Sequence, residues 1–147
     1  MSDNNVDNYF DIIKSSLSEA SDTLALRSSL SKKIKKIAQA IEEATNNLLV
    51  IIDDEPNRIQ AAATHCSSDR IISVRHKDSY RKKVIPLFGY SINKTSIFPV
   101  QIETELREDF ASNEEELYSI ITDIITRNSL KIMELIKESD YDNDIPF

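Results

Sequence analysis

Val6-Asp7-Asn8-Tyr9-Phe10-Asp11-Ile12-Ile13-Lys14-Ser15-Ser16-Leu17-Ser18-Glu19-Ala20-Ser21-Asp22-Thr23-Leu24 opens the longest regular pattern in the chain. Its apolar residues Val6, Phe10, Ile13, Leu17, Ala20 and Leu24 step by 4, 3, 4, 3 and 4. Residues three and four apart share a helix face, so this alternation is the seam of a coiled coil. A second series, Leu30, Ile34, Ile37, Ile41, Ala44, Leu48 and Ile51, keeps the same spacing. The step of 6 from Leu24 to Leu30 breaks the phase. Either one long helix carries a stammer there, or two helices meet around Arg27-Ser28-Ser29. No Gly or Pro lies between residues 1 and 55, so nothing forces a break. A stripe this long has to be buried against something. A homodimer through the segment is the expectation, with a monomeric helical hairpin as the alternative. Asp53, Asp54, Glu55 and Pro56 are expected to end the helix, because Pro cannot continue it and acids sit badly at its C-terminal dipole. Lys32, Lys33, Lys35 and Lys36 cluster on it. They read most simply as solvated flanks of the seam, and more sharply as phosphate contacts.

Downstream the period changes from helical to alternating. Asn57 to Asp69 reads as a short helical or irregular connection. Ile71, Ile72 and Val74 predict one strand, and Val84 to Ile92 a second, with Gly89 as a bulge or close-approach site. Asn93-Lys94-Thr95-Ser96 is a turn, and Val100, Ile102 and Thr104 alternate as a third strand. Pro86 and Pro99 imply edge positions or strand ends. The order predicts an antiparallel meander. Ser112-Asn113-Glu114-Glu115 is a capping box that opens a last helix. Leu117, Ile120, Ile121, Ile124, Ile125, Ile132, Leu135 and Ile136 give that helix a broad apolar face for the sheet. It is expected to fray near Ser139.

Composition sets bounds. The chain has 147 residues, a net charge of −7 and one glycine, Gly89. Phosphate-cradling loops need several glycines, so they are excluded. The longest apolar run, Leu48-Leu49-Val50-Ile51-Ile52, is far short of a membrane span. The first residues, with Asp3, Asn4, Asn5 and Asp7, do not read as a signal peptide, and the single cysteine, Cys66, offers no disulfide framework. A cytoplasmic protein is expected. His65-Cys66 lacks zinc-ligand spacing, and the other histidine is His76. Glu103-Thr104-Glu105 and Glu114-Glu115-Glu116 read as a strand edge and a helix N-terminal turn. No metal site, cofactor or enzyme activity is expected.

Two surfaces carry candidate binding chemistry. The stretch 70–83 holds Arg70, Arg75, Lys77, Arg81, Lys82 and Lys83, with Tyr80 and Tyr90 near in sequence. A solvated sheet rim is the plain reading. The functional one assigns phosphate contacts to Arg75, Lys77, Arg81, Lys82 and Lys83, with the tyrosines stacking bases of single-stranded DNA. The same patch could hold the acidic tail of its own chain.

That tail is the second surface. Asp140-Tyr141-Asp142-Asn143-Asp144-Ile145-Pro146-Phe147 places three aspartates before two apolar side chains. So polar a run cannot repay its ordering entropy alone and is expected to be flexible when free. Pro146 biases Ile145 toward an extended conformation. With Phe147 carrying a free carboxylate, the complementary site is an apolar pocket with a basic lip and a basic ridge beside it.

The segment resembles the acidic C-terminal tip of bacterial single-stranded-DNA-binding protein (SSB), which is aspartate-rich and ends in Ile-Pro-Phe or a close variant. The resemblance covers about the last eight residues and nothing upstream. It implies docking on enzymes that read that tip: exonuclease I, a RecQ-type helicase, the replication-restart helicase, a recombination mediator and the chi subunit of the replicase. Phe147 would be the pocket anchor and its carboxylate the ligand of the basic lip. Pro146 and Ile145 would pack beside it, Asp140, Asp142 and Asp144 would lie on the basic ridge, and Tyr141 would belong to the same partner-binding segment. Asn143 departs from an all-acidic core. Such a mimic would suit a phage, plasmid or defence-related protein. A divergent single-stranded-DNA-binding protein that uses the same tip is the alternative.

The expected architecture is α+β: a long N-terminal coiled-coil helix or helical hairpin, a small antiparallel β-meander, a C-terminal helix packed on the sheet, and a flexible acidic tail. Its expected divisions are a helical coiled-coil segment over 1–56, a small α+β domain over 57–138 and the tip over 139–147.

Overall fold

The computed structural model describes residues 2–55, 68–78 and 84–144, with side chains over 5–55, 68–78 and 84–137. The fold is α+β. Helix α1 (Ser2–Ala38) runs unbroken through Arg27-Ser28-Ser29, so no hairpin forms there. Only its C-terminal part is anchored: Leu30, Ile34 and Ala38 are buried in the core, and Ile37 packs against it.

The second apolar series does not continue as helix. A short helix α2 (Ala40–Ala44) follows, and Asn46 and Asn47 then turn the chain with φ of 52° and 64°. Asn tolerates this left-handed region better than most residues. Strand β1 (Leu49–Asp54) comes next, so the segment expected to be helical up to Pro56 ends in a strand. Val50, Ile51 and Ile52 are β-branched and crowd a helix while packing well on a pleated surface. Asp53 and Asp54 accordingly end a strand rather than a helix.

Strands β2 (Arg70–His76), β3 (Val84–Asn93), β4 (Ile97–Glu103) and β5 (Glu108–Ala111) complete a five-stranded antiparallel sheet in the order β1-β2-β3-β4-β5. The meander is the expected one, extended by a strand at each end. The inner face carries Leu49 and Ile51, then Ile72 and Val74, Phe88 and Tyr90, Val100 and Ile102, and Ala111. Leu87 is the extra residue of a bulge, since Ile72 pairs with Phe88 while Ser73 pairs with Pro86. Pro86 and Pro99 were expected at edges or strand ends. They sit in inner strands, where register shifts beside them remove the need for a ladder donor. Thr104 is not part of β4: its amide donates to the Arg107 carbonyl at 2.9 Å and opens the β4–β5 turn.

Helix α3 (Glu114–Arg127) starts one residue later than the expected box. Asn113 is the N-cap, its Oδ1 accepting from the Glu116 amide at 2.8 Å. The Glu116 carboxylate accepts from the Ser112 amide in return, at 3.3 Å. The single last helix is in fact two. Asn128 breaks it, its Nδ2 donating to the Ile124 carbonyl at 2.7 Å. Helix α4 (Ser129–Asp144) follows and packs against β2. Leu117, Ile121 and Ile124 of α3 and Ile132 and Leu135 of α4 join one core with the root of α1. Lys33 of α1 is salt-bridged at 3.2 Å to Glu114, which also accepts from the Tyr118 hydroxyl at 3.2 Å. No described helix is long and apolar enough to cross a membrane.

Candidate functional site: the acidic C-terminal segment and the basic surfaces

Helix α4 is held by Ile132, Leu135 and the half-buried Ile136. It does not fray at Ser139: its backbone stays helical through Asp144. Neither Gly nor Pro interrupts residues 129–144. Asp140, Tyr141, Asp142 and Asp144 therefore lie on the last turns of a helix rather than in an extended tail, and their side chains fall outside the described ones. Ile145, Pro146 and Phe147 lie outside the described residues. From Ile136, the last described side chain packed on the core, to Asp144 the helix advances about 12 Å.

The basic patch is only partly in view. Arg75 lies on the outer face of β2, opposite Val50 and Val84, with Nη1 donating to the His76 carbonyl at 3.4 Å. Lys77 follows on the exposed end of the strand, its amide tied to the Leu48 carbonyl at 3.0 Å. Arg81, Lys82, Lys83 and Tyr80 lie outside the described residues, as do His65 and Cys66. Tyr90 cannot stack a base. It faces inward from β3, is 2% exposed, and packs against Phe88 with ring centroids 6.4 Å apart. Its hydroxyl is buried beside Ser31 without a hydrogen bond of good geometry, and burial raises its pKa above the ordinary tyrosine value.

Arg70 is committed elsewhere. Its Nε donates to Asp53 at 2.6 Å, Nη2 to the Asp53 carbonyl at 3.1 Å, and Nη1 reaches Glu55 at 3.5 Å. The hydrogen bond to Asp53 is the main cause of its raised pKa. His76 is buried, and its Nδ1 accepts from the Asp78 amide at 3.1 Å, a turn-closing role. No cluster of three or more metal-ligating side chains occurs among the described residues.

Two clefts lie among the described residues. A small one of about 70 Å³ lies along Ile71, Pro86, Leu87, Gly89, Glu103 and Glu105. Gly89 is buried there with an ordinary negative φ, so its use is close approach and not backbone freedom. The bulge expected at Gly89 falls at Leu87 instead. The other, about 330 Å³ and open, lies between α1 and the end of the sheet, with Arg27, Lys32, Lys35, Asp53 and Arg70 in its lining. Sequence spacing could not join these residues, because Asp53 was read as part of a helix end.

Comparison with protein-family models, with curated proteins and with solved structures returns no match to this chain.

Proposed function

We propose that this protein is a non-catalytic adaptor that docks, through Asp140–Phe147, on replication, repair and recombination enzymes that read the SSB tip. It would recruit them or compete with SSB for them. The order Asp140-Tyr141-Asp142-Asn143-Asp144-Ile145-Pro146-Phe147 carries the reading. Acids on the last helical turns suit a basic ridge. The Ile145-Pro146-Phe147 sequence suits an apolar pocket, whose basic lip would take the carboxylate that Phe147 carries when it closes the chain. The buried Tyr90 removes one of the two aromatics on which the single-stranded-DNA alternative relied.

The test is binding to exonuclease I by anisotropy, with a labelled SSB-tail peptide as competitor. Deleting Phe147 removes the ring, and appending one residue keeps the ring but displaces the carboxylate. Each should weaken binding by about 1.5–3 kcal/mol, roughly ten- to a hundred-fold. Undiminished binding by the Phe147 deletion to exonuclease I and to the other tip-reading enzymes would overturn the proposal.

A further inference from the structure

Helix α1 leaves the body as an arm. Val6, Phe10, Ile13, Leu17 and Leu24 are each 60–66% exposed on it, and Ala20 is exposed beside them. Carrying the same 3–4 steps past Leu24 reaches Arg27, Ser31, Ile34 and Ala38, which are half-buried or buried at the root. One face of one helix is thus open along the arm and closed by the body at the root. A helix that followed this face would have to stop at the root.

The open cleft lies at that stopping point, between the helix and the end of the sheet. Asp53 and Arg70 neutralise each other there. Arg27, Lys32 and Lys35 remain without a carboxylate partner among the described residues. Arg27 spends its Nη2 on the Asn93 and Lys94 carbonyls, at 3.2 and 2.8 Å. The arm has the opposite sign: Asp3, Asp7, Asp11, Glu19 and Asp22 against Lys14. None of Asp7, Asp11, Glu19 and Asp22 forms an ion pair within the described residues.

We propose that the arm pairs with the arm of a second copy in antiparallel orientation, so that the acidic first turns of each helix enter the basic cleft at the root of the other. The seam residues fit this register. Val6 falls opposite Leu24, Phe10 opposite Ala20 and Ile13 opposite Leu17, and the two-fold axis repeats each pair. The largest seam side chain meets the smallest, which keeps the helix spacing even. Position 3 falls opposite Arg27, with Asp7 one turn away. A parallel pair would stack Asp7 and Asp11 on their own copies and bring two basic clefts together, with repulsion at both ends. The antiparallel pair places the two bodies at opposite ends of the stem. This inference stands independently of the tip reading.

Disulfide trapping in the full-length chain, on a Cys66→Ser background, tests the orientation. Val6→Cys and Leu24→Cys chains mixed in a redox buffer should give the mixed disulfide in preference to either self-pair. Rapid self-pairing of Leu24→Cys alone would show a parallel stem and overturn the proposal. So would a monomeric mass of the unmodified protein by light scattering at micromolar concentration. Asp3→Lys with Asp7→Lys should raise the dimer dissociation constant about ten-fold. Adding Lys32→Glu with Lys35→Glu should recover most of that loss, and failure to recover would overturn the placement in the cleft. These arm substitutions lie outside the packed core, so unchanged thermal unfolding of the body serves as the control.

Discussion

The Glu42 carboxylate accepts a hydrogen bond from the Ile51 amide at 2.9 Å. The Leu49 amide is satisfied in the same way, by the Thr45 hydroxyl at 3.3 Å. β1 is an edge strand, and such edges present unpaired amides that recruit other chains. Two side chains from the α2 turn therefore close part of this edge.

Glu42→Ala should cost about 1–3 kcal/mol, because it strands a partly buried amide. Glu42→Gln keeps an acceptor oxygen and should cost less. Chemical denaturation checks the order of the two variants. Glu42→Ala should also increase concentration-dependent light scattering, since it reopens the edge. Equal stability of both variants with the parent would show that the contact does not support the strand.

Tyr90 sets an alkaline limit. Burial raises its pKa, so the fold favours the neutral phenol. That contribution is complete below the ordinary value near pH 10 and is lost as pH rises through the raised one. Because the hydroxyl lacks a good hydrogen bond, Tyr90→Phe should leave neutral-pH stability unchanged or raise it by up to about 1 kcal/mol. The variant should resist alkaline unfolding better than the parent. Denaturation midpoints at neutral pH and above pH 10 give both readings.

The outer basic stretch has its own signature. If Arg75, Lys77, Arg81, Lys82 and Lys83 contact phosphates, single-stranded-DNA affinity should fall with salt, with a log–log slope of about −0.7 per contact. Arg75→Ala with Lys77→Ala should then reduce the slope as well as the affinity. A salt-independent signal, or none, assigns these residues to a solvated rim.

The central strands were legible because period-2 alternation survives in Ile72/Val74 and Val100/Ile102. β1 was not, because Leu48 and Ile51 happen to continue the 4–3 spacing of the preceding helix. The better signal was local: Asn46-Asn47 ahead of three β-branched residues marks a turn into a strand. β5 escaped because Glu108-Asp109-Phe110-Ala111 is a short, charged edge with a single buried residue, Ala111. The N-cap slipped by one because Ser112 and Asn113 both suit the role, and the geometry chose Asn113. The basic cleft was hidden, since Arg27 and Asp53 line one cleft only when β1 is recognised as a strand. The proposed tip is the reverse case: that proposal rests on eight consecutive residues and on no feature of the fold.

The unsupported arm also bears on how the chain behaves as a polymer. Residues 5–26 include Ser15, Ser16, Ser18, Ser21 and Thr23, all weak helix formers, and the apolar stripe along them stays mostly exposed among the described residues. A helix of that length in water is marginal on intrinsic propensity alone. Whatever covers the stripe therefore supplies the free energy that keeps it wound. Helix content in the arm becomes linked to occupancy by mass action. Ellipticity at 222 nm, ordinarily a property of the folded chain alone, would then rise with protein concentration while the sheet signal stays constant.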